Sequence, residues 1–586
     1  MSAATGHLLS ITGNLVLIRF EGSIRQNEIA YIQFQNRELL CEVIRISGDK
    51  AYAQVYESTR GLYFGCPVAF TGQLLEIRLG PGLIGGVFDG LENDLYAREG
   101  IFLQRGERKP ALEEEIKYDW KVTLETGTWV EAGDRLGYVM EKGFKHYLMC
   151  PPSLTGQWQL KSILPSGEIS SKNKAVATLQ SRQGEEIQIP FIQNWPIRRP
   201  LTAFIEKERP GQVLFTGVRL MDILYPLAEG GTGFIPGPFG CGKTVLQQAI
   251  AKNAAADLII FAACGERANE ITELLHTYQE LIDPHTGKKL MERTILICNT
   301  SNMPVAAREA SVYTAMTIAE YYRNQGLKVL LLADSTSRWA QALRELSNRM
   351  EELPGPEAYP MDLPTTIASF YARAGKVKLK NEQTGSITFI GTVSPAGGNL
   401  KEPVTESTRK VARCYYALAQ QRADTKRYPA IDPLESYSHY LDYPELNSFL
   451  SDLHDQDWIS RVKKIQRALQ KGREASEQIN ILGDDGVPLQ THLDFWKSEL
   501  VDFTLLQQDA FDRVDSLTPP ERQAFMAKLI EQYLDSDYRF GKVDDMIDYF
   551  KKLIYRIREL NYLEFNSSSF DDQMKQLPST ERHATA

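Results

Sequence analysis

Residues 237–244 read GPFGCGKT and follow a short apolar run at 233–236. That succession dictates a strand, a tight loop and a helix, because the pattern GxxxxGKT wraps nucleotide phosphates. Gly237, Gly240 and Gly242 let the backbone turn sharply and aim successive N–H groups at phosphate oxygens. Lys243 is placed to reach the β- and γ-phosphates, and the Thr244 hydroxyl to ligate Mg²⁺. Pro238, Phe239, Cys241 and Val245 complete the nucleotide-binding stretch. The residues up to 256 suit a helix whose positive N-terminal end favours an anion. A merely glycine-rich turn is the bland alternative, and four such fixed positions arise by chance in only a few per cent of chains this long.

At 586 residues the chain exceeds one hydrophobic core and suggests three or four domains. A net charge of −9 argues against a nucleic-acid surface spread over the molecule. The cysteines, odd in number at seven, form no CxxC pair or zinc spacing, which predicts reduced thiols in a cytosolic compartment. Apolar runs fall far short of the ~20 residues that span a bilayer. Any membrane link is therefore expected through partners.

Short apolar runs separated by Gly and Asp predict an N-terminal β-barrel over 1–75. A connection at 76–109 and a second β-rich, inserted module at 110–190 follow. The stretch WPIRRP (195–200) reads as a linker, since proline blocks both helix and central strand. Over 191–438, strand candidates at 233–236, 258–263, 295–299, 329–333 and 387–393 alternate with helical segments, implying a mainly parallel sheet covered by helices. Val305, Val312, Met316 and Ala319 share one helix face. Residues 439–565 read as helical, with Trp496, Leu500 and Phe503 on one face. The polar, Ser-rich 566–586 predicts disorder.

Three further segments surround the phosphate loop in sequence. The run 258–263 leads into Gly265-Glu266-Arg267, and a carboxylate at the C-terminal end of a core strand lies where such sheets bind ligands. Glu266 is thus a candidate to orient an attacking water, the competing reading being a first-turn helix acid. The strand LLLAD ends in Asp334, a pattern that supplies a carboxylate to Mg²⁺, commonly through water. Arg338 faces phosphates if a helix starts near Ser335; otherwise it is a solvated helix residue. The turn YPAIDPLESYS (428–438) offers Tyr428 as a ring for base stacking, although core packing is a tyrosine's ordinary fate.

These motifs, in this order, resemble the catalytic A subunits of V-type (V/A-type) rotary ATPases. QVYESTRGL (54–62), LGPGLIGGVFDG (79–90), WPIRRP (195–200) and LQQDAFD (506–512) extend the resemblance over essentially the whole chain. It implies a multidomain α/β architecture: an N-terminal β-barrel, an inserted bulge module, a RecA-like P-loop domain and a C-terminal helical bundle. By the same resemblance, Lys243 and Thr244 are the phosphate and Mg²⁺ residues. Glu266 is the water-activating carboxylate supported by Arg267, Asp334 the metal-associated acid and Arg338 a phosphate-region arginine. Tyr428, Ala510 and Phe511 build the adenine pocket, with tyrosine where phenylalanine is commoner. A hexamer alternating with B-type subunits is implied, each B supplying an arginine finger. Central and peripheral stalks, an indirectly attached membrane ion sector carrying H⁺ or Na⁺, and a location on the cytoplasmic membrane face complete the expectation. VFDGLENDL (87–95) lacks the usual basic-proline pair, and Asn399 stands where an acid is common.

Two rival classes are a non-catalytic nucleotide-binding subunit and a hexameric RNA translocase of related core. Lys243, Thr244 and Glu266 together argue against the first; the acidic balance and the inserted module argue against the second. Cys241 reads as a small residue tolerated in a tight turn. The sharper reading is a redox-sensitive thiol whose pKa is lowered by loop amides and Lys243.

Overall fold

The computed structural model describes residues 4–95, 106, 108–109, 111–112, 115–172, 175–578 and 583–584. The chain divides into two units: residues 1–209, 256–283 and 287–391 form one, and 210–255, 284–286 and 392–586 the other. The segment expected as a single nucleotide-binding domain, 191–438, is thus shared between them.

The first unit begins with six strands, Thr5–Thr12, Leu15–Glu21, Glu28–Phe34, Arg37–Ser47, Lys50–Val55 and Pro67–Leu74. They close into a barrel in the order first, second, fifth, fourth, third, sixth. Alternate residues such as Ala51, Ala53 and Val55 point inward among Val16, Ile32 and Val68, and closure leaves no exposed strand edge. The inserted module is two four-stranded sheets. Trp120, Leu136, Leu148, Leu160 and Leu179 fill the core between their strands. Gly133 takes φ +84° at the turn its Gly-Asp pair predicts. The connection contributes the strands Glu76–Leu79 and Val87–Phe88, while 96–105 lies outside the described residues.

The WPIRRP stretch is not the free linker its prolines predict. Gln193–Pro196 pairs antiparallel with Glu76–Leu79, with Pro196 at the strand end where its missing N–H costs little. Trp195 and Ile197 are buried. Arg198 then makes two bidentate ion pairs, Nε and Nη2 to Glu42 at 2.6 and 2.8 Å, and Nη1 and Nη2 to Glu309 at 2.9 and 3.0 Å. One guanidinium therefore ties a barrel strand to a core helix.

The core sheet of this unit runs in the order Thr384–Val393, Lys328–Asp334, Leu258–Glu266, Thr294–Thr300 and Val87–Phe88, all parallel. Its strands are continuous apolar runs because both faces are covered. The helix Val305–Asn324 buries the predicted Val305, Val312, Met316 and Ala319, and also Glu309, Glu320 and Arg323. Those charges are tolerated because they are paired: Glu320 accepts two bonds from Arg373, Nε at 3.0 Å and Nη2 at 2.6 Å.

In the second unit Thr232–Pro236 pairs parallel with Cys414–Tyr415. Helices Trp458–Leu482, Leu489–Val501, Pro520–Asp535 and Val543–Asn561 follow. Trp496 stacks on Phe550, with ring centroids 6.4 Å apart, and Leu500 is buried. A helix, Ser568–Lys575, stands where polar composition predicts disorder. The Ser567 hydroxyl caps it, and Phe570 inserts beside Phe525 and Phe565 at 5.6 and 5.4 Å, an apolar anchor that an average over the segment conceals. Among the described residues no helix is long and apolar enough to cross a membrane.

Arg198→Met should destabilise the fold by about 3–5 kcal/mol, since two buried carboxylates lose their countercharge. Burial pushes the Glu309 pKa up, but Arg198 and Gln54 outweigh it, and the net shift is downward from 4.5. That stabilisation is present above pH 4.5 and lost as pH falls through the lower folded value. Denaturant titrations of wild type and variant should therefore converge on acidification; a constant gap down to low pH would contradict the pairing.

Candidate nucleotide site

The second unit carries the phosphate loop. Strand Thr232–Pro236 delivers the chain to Gly237, and helix Lys243–Asn253 begins at the far end. Gly240 and Gly242 adopt φ +86° and +82°, left-handed conformations that side chains resist. A Cβ on Gly237 would lie 2.6 Å from that of Leu418, so the third glycine is required by packing. Lys243 folds back over the loop, its Nζ donating to the carbonyls of Gly237 and Pro238 at 2.7 Å each. Phe239 and Val245 are exposed beside it. Thr244 occupies the first turn of the helix, where backbone N–H groups are unpaired within the helix.

Beside the loop opens a cavity of about 490 Å³, lined by Gly240, Gly242, Val245, Tyr428, Ala510 and Phe511, among others. That volume suits a nucleoside. Tyr428 is half-exposed and the Phe511 ring almost fully so, and both line this cavity, each offering an exposed aromatic ring. All three adenine-pocket residues expected from sequence thus meet at one cavity. Sequence reasoning missed Phe503, Gln507 and Gln508, which line it as well. The buried Nε2 of Gln507 has no hydrogen-bond partner, leaving a donor for a ligand. Only the LQQDAFD motif around it could have drawn attention to that position.

Cys241 accords with its plainer reading as a small residue in a tight turn and not with a lowered pKa. Its thiol is buried and donates to Gln420 Oε1 at 3.2 Å. Burial raises the thiol pKa, Lys243 offsets this in part and Asp424 adds to it, so the net direction is up rather than down. All seven cysteines are free thiols.

The first unit carries the carboxylates. Glu266 is the last residue of Leu258–Glu266 and precedes helix Ala268–Glu280, so it belongs to the strand end and not to the helix. Gly265 takes φ +71° immediately before it, and a Cβ there would strike Arg308 Cδ at 2.9 Å. Asp334 ends the neighbouring strand, pairing in register with Ala263, and is buried. Burial, then the Asp334 charge and then Glu270 push the Glu266 pKa upward, and Arg338 counters in part. Together they carry it from 4.5 up to about 8. Arg338 lies in the first turn of Thr336–Arg349, exposed, with Nη1 3.3 Å from Gln341 Oε1. Arg267 is exposed at the start of its helix. Arg308, not singled out from sequence, has a buried, unpartnered Nε next to this group.

No cluster of three or more His, Cys, Asp or Glu suited to a metal occurs among the described residues. The Thr244 hydroxyl at its helix start and the buried Asp334 carboxylate at its strand end are each oxygen donors of the kind Mg²⁺ takes alongside waters and phosphate oxygens.

A strand, phosphate loop and helix beside a base-sized cavity define a P-loop nucleotide-binding protein. The family models that match bear this out and narrow it. The ATP synthase alpha/beta nucleotide-binding domain matches residues 217–438, the alpha/beta subunit barrel-sandwich domain 109–198 and the alpha/beta beta-barrel domain 8–72. The V-type ATP synthase alpha chain of Protochlamydia amoebophila is 45% identical over 571 residues, 97% of this chain and 95% of that one. The alpha chain of Treponema denticola is 44% identical over 573 residues, with 97% and 95% covered. The secretion ATPase EscN of enteropathogenic E. coli shares the fold, with TM-score 0.62 and 21% identity over 90% of this chain and 100% of that one. The chain belongs to the family of V-type ATP synthase alpha chains, the ATP-hydrolysing catalytic subunits of rotary ATPases.

Alkylation of Cys241 by iodoacetamide at neutral pH should run well below the rate of an unhindered thiol, as mass spectrometry of the native chain would measure. Rapid labelling at this position would contradict its burial and raised pKa.

Proposed function

We propose that the phosphate loop and the strand-end carboxylates of this chain together hydrolyse MgATP. The observation that carries this is the base-sized cavity opening directly onto the loop at Gly240 and Gly242. Lys243 neutralises β- and γ-phosphate charge, giving up its loop carbonyls for phosphate oxygens. Thr244 and Asp334 would hold Mg²⁺, which when bound would supply Lewis-acid neutralisation of the phosphates. Glu266 orients and deprotonates the attacking water, with Arg267 supporting it and Arg338 serving the phosphate region. Tyr428, Ala510 and Phe511 hold the adenine.

Membership of the family brings a rotary complex of several subunits, associated with a membrane. We propose that this chain alternates with a B-type partner in a hexamer, the partner supplying an arginine finger worth about 10³–10⁵ in rate. Central and peripheral stalks would connect it to a membrane ion sector carrying H⁺ or Na⁺, with this chain on the cytoplasmic face.

Glu266→Gln should still bind ATP but lose hydrolysis by roughly 10²–10⁴-fold in the assembled complex; ordinary turnover there would remove Glu266 from the role of base. Lys243→Ala should abolish tight nucleotide binding in a calorimetric titration. The isolated chain should hydrolyse ATP slowly and speed up when a B-type partner is added. Full activity without a partner would refute a shared arginine.

A further inference from the structure

The base-binding wall of the cavity is a loop, and its backbone is not held by regular structure. Between residues 505 and 518 several polar groups meet one side chain from elsewhere in the unit, Arg219, which is 1% exposed. Its Nε donates to Leu505 O at 2.9 Å, Nη1 to Thr518 Oγ1 at 3.1 Å and to Asp515 Oδ1, and Nη2 to Gln507 O. The Arg219 backbone N–H donates to Gln508 Oε1 at 2.8 Å. Gln508 Nε2 in turn donates to Gly217 O at 2.8 Å and Asp515 O at 2.7 Å, and Asp515 Oδ2 accepts from Asp509 N at 2.7 Å. Gln507, Gln508 and Asp515 themselves line the cavity, as does Val218 beside Arg219.

We propose that Arg219 is a positioning residue for base recognition: it sets the loop carrying Gln507, Ala510 and Phe511 at the distance a purine requires. The fork geometry of guanidinium matters here, because it meets two carbonyls, a hydroxyl and a carboxylate at fixed angles. A lysine ammonium offers three donors on a flexible stem and cannot reproduce that set. The bonds of Arg219 run to residues 505–518, and the shape of residues 237–244 comes from glycine conformations and Lys243. The phosphate cradle and the base wall thus have separate supports, and Arg219 should affect one ligand moiety and spare the other.

This inference rests on the nucleotide-site reading above, and one experiment separates their failures. Binding of MgATP and of magnesium tripolyphosphate, which has no base, is measured by calorimetry on the full chain and on Arg219→Lys. Asp515→Asn serves as a second variant that leaves the arginine in place. Each variant should weaken MgATP roughly tenfold and change tripolyphosphate affinity less than about twofold. Equal losses for both ligands would show a general structural role and overturn the inference, as would unchanged MgATP binding. A wild-type chain that binds MgATP but not tripolyphosphate would overturn the separate supports it requires. A wild-type chain binding neither ligand would bring down the nucleotide-site reading itself, and the inference with it.

Discussion

Parallel pairing is the constraint on which the carboxylate-bearing unit of this chain depends. Leu258–Glu266, Thr294–Thr300 and Lys328–Asp334 run the same way, so their carboxyl ends fall along one edge. Residues that are far apart in sequence, Glu266 and Asp334, thereby become neighbours without any contact between their side chains being needed to bring them there. The neighbourhood is electrostatically unfavourable, and burial together with the Asp334 charge raises the proton affinity of Glu266.

Buried arginines act as the stitches of both units. Arg198 fastens barrel to helix through Glu42 and Glu309. Arg373 fixes Glu320 on the buried helix Val305–Asn324. Arg219 gathers the loop around 505–518. Each satisfies several acceptors at once, which a hydrophobic residue of similar volume cannot do. The interior is consequently specified by direction as well as by volume, because a guanidinium in the wrong rotamer leaves charges unpaired.

Much of this was legible in the sequence. The octapeptide at 237–244 and the acid-terminated runs at 266 and 334 are local patterns, and local patterns survive folding. The strands and the Val305–Ala319 helix face appeared through periodicity for the same reason. The role of 195–200 was not legible, because proline content reports backbone limits and says nothing of Arg198 reaching two distant glutamates. The Ser568–Lys575 helix escaped because a single phenylalanine anchored it. The direction of the Cys241 pKa depended on burial against Gln420 and Asp424, residues far along the chain.

The phosphate loop is braced by one of its own side chains. Lys243 holds the carbonyls of Gly237 and Pro238 at 2.7 Å each, while Gly240 and Gly242 supply the left-handed bends. A neutral residue in place of that lysine would therefore take away a brace of the turn together with a charge.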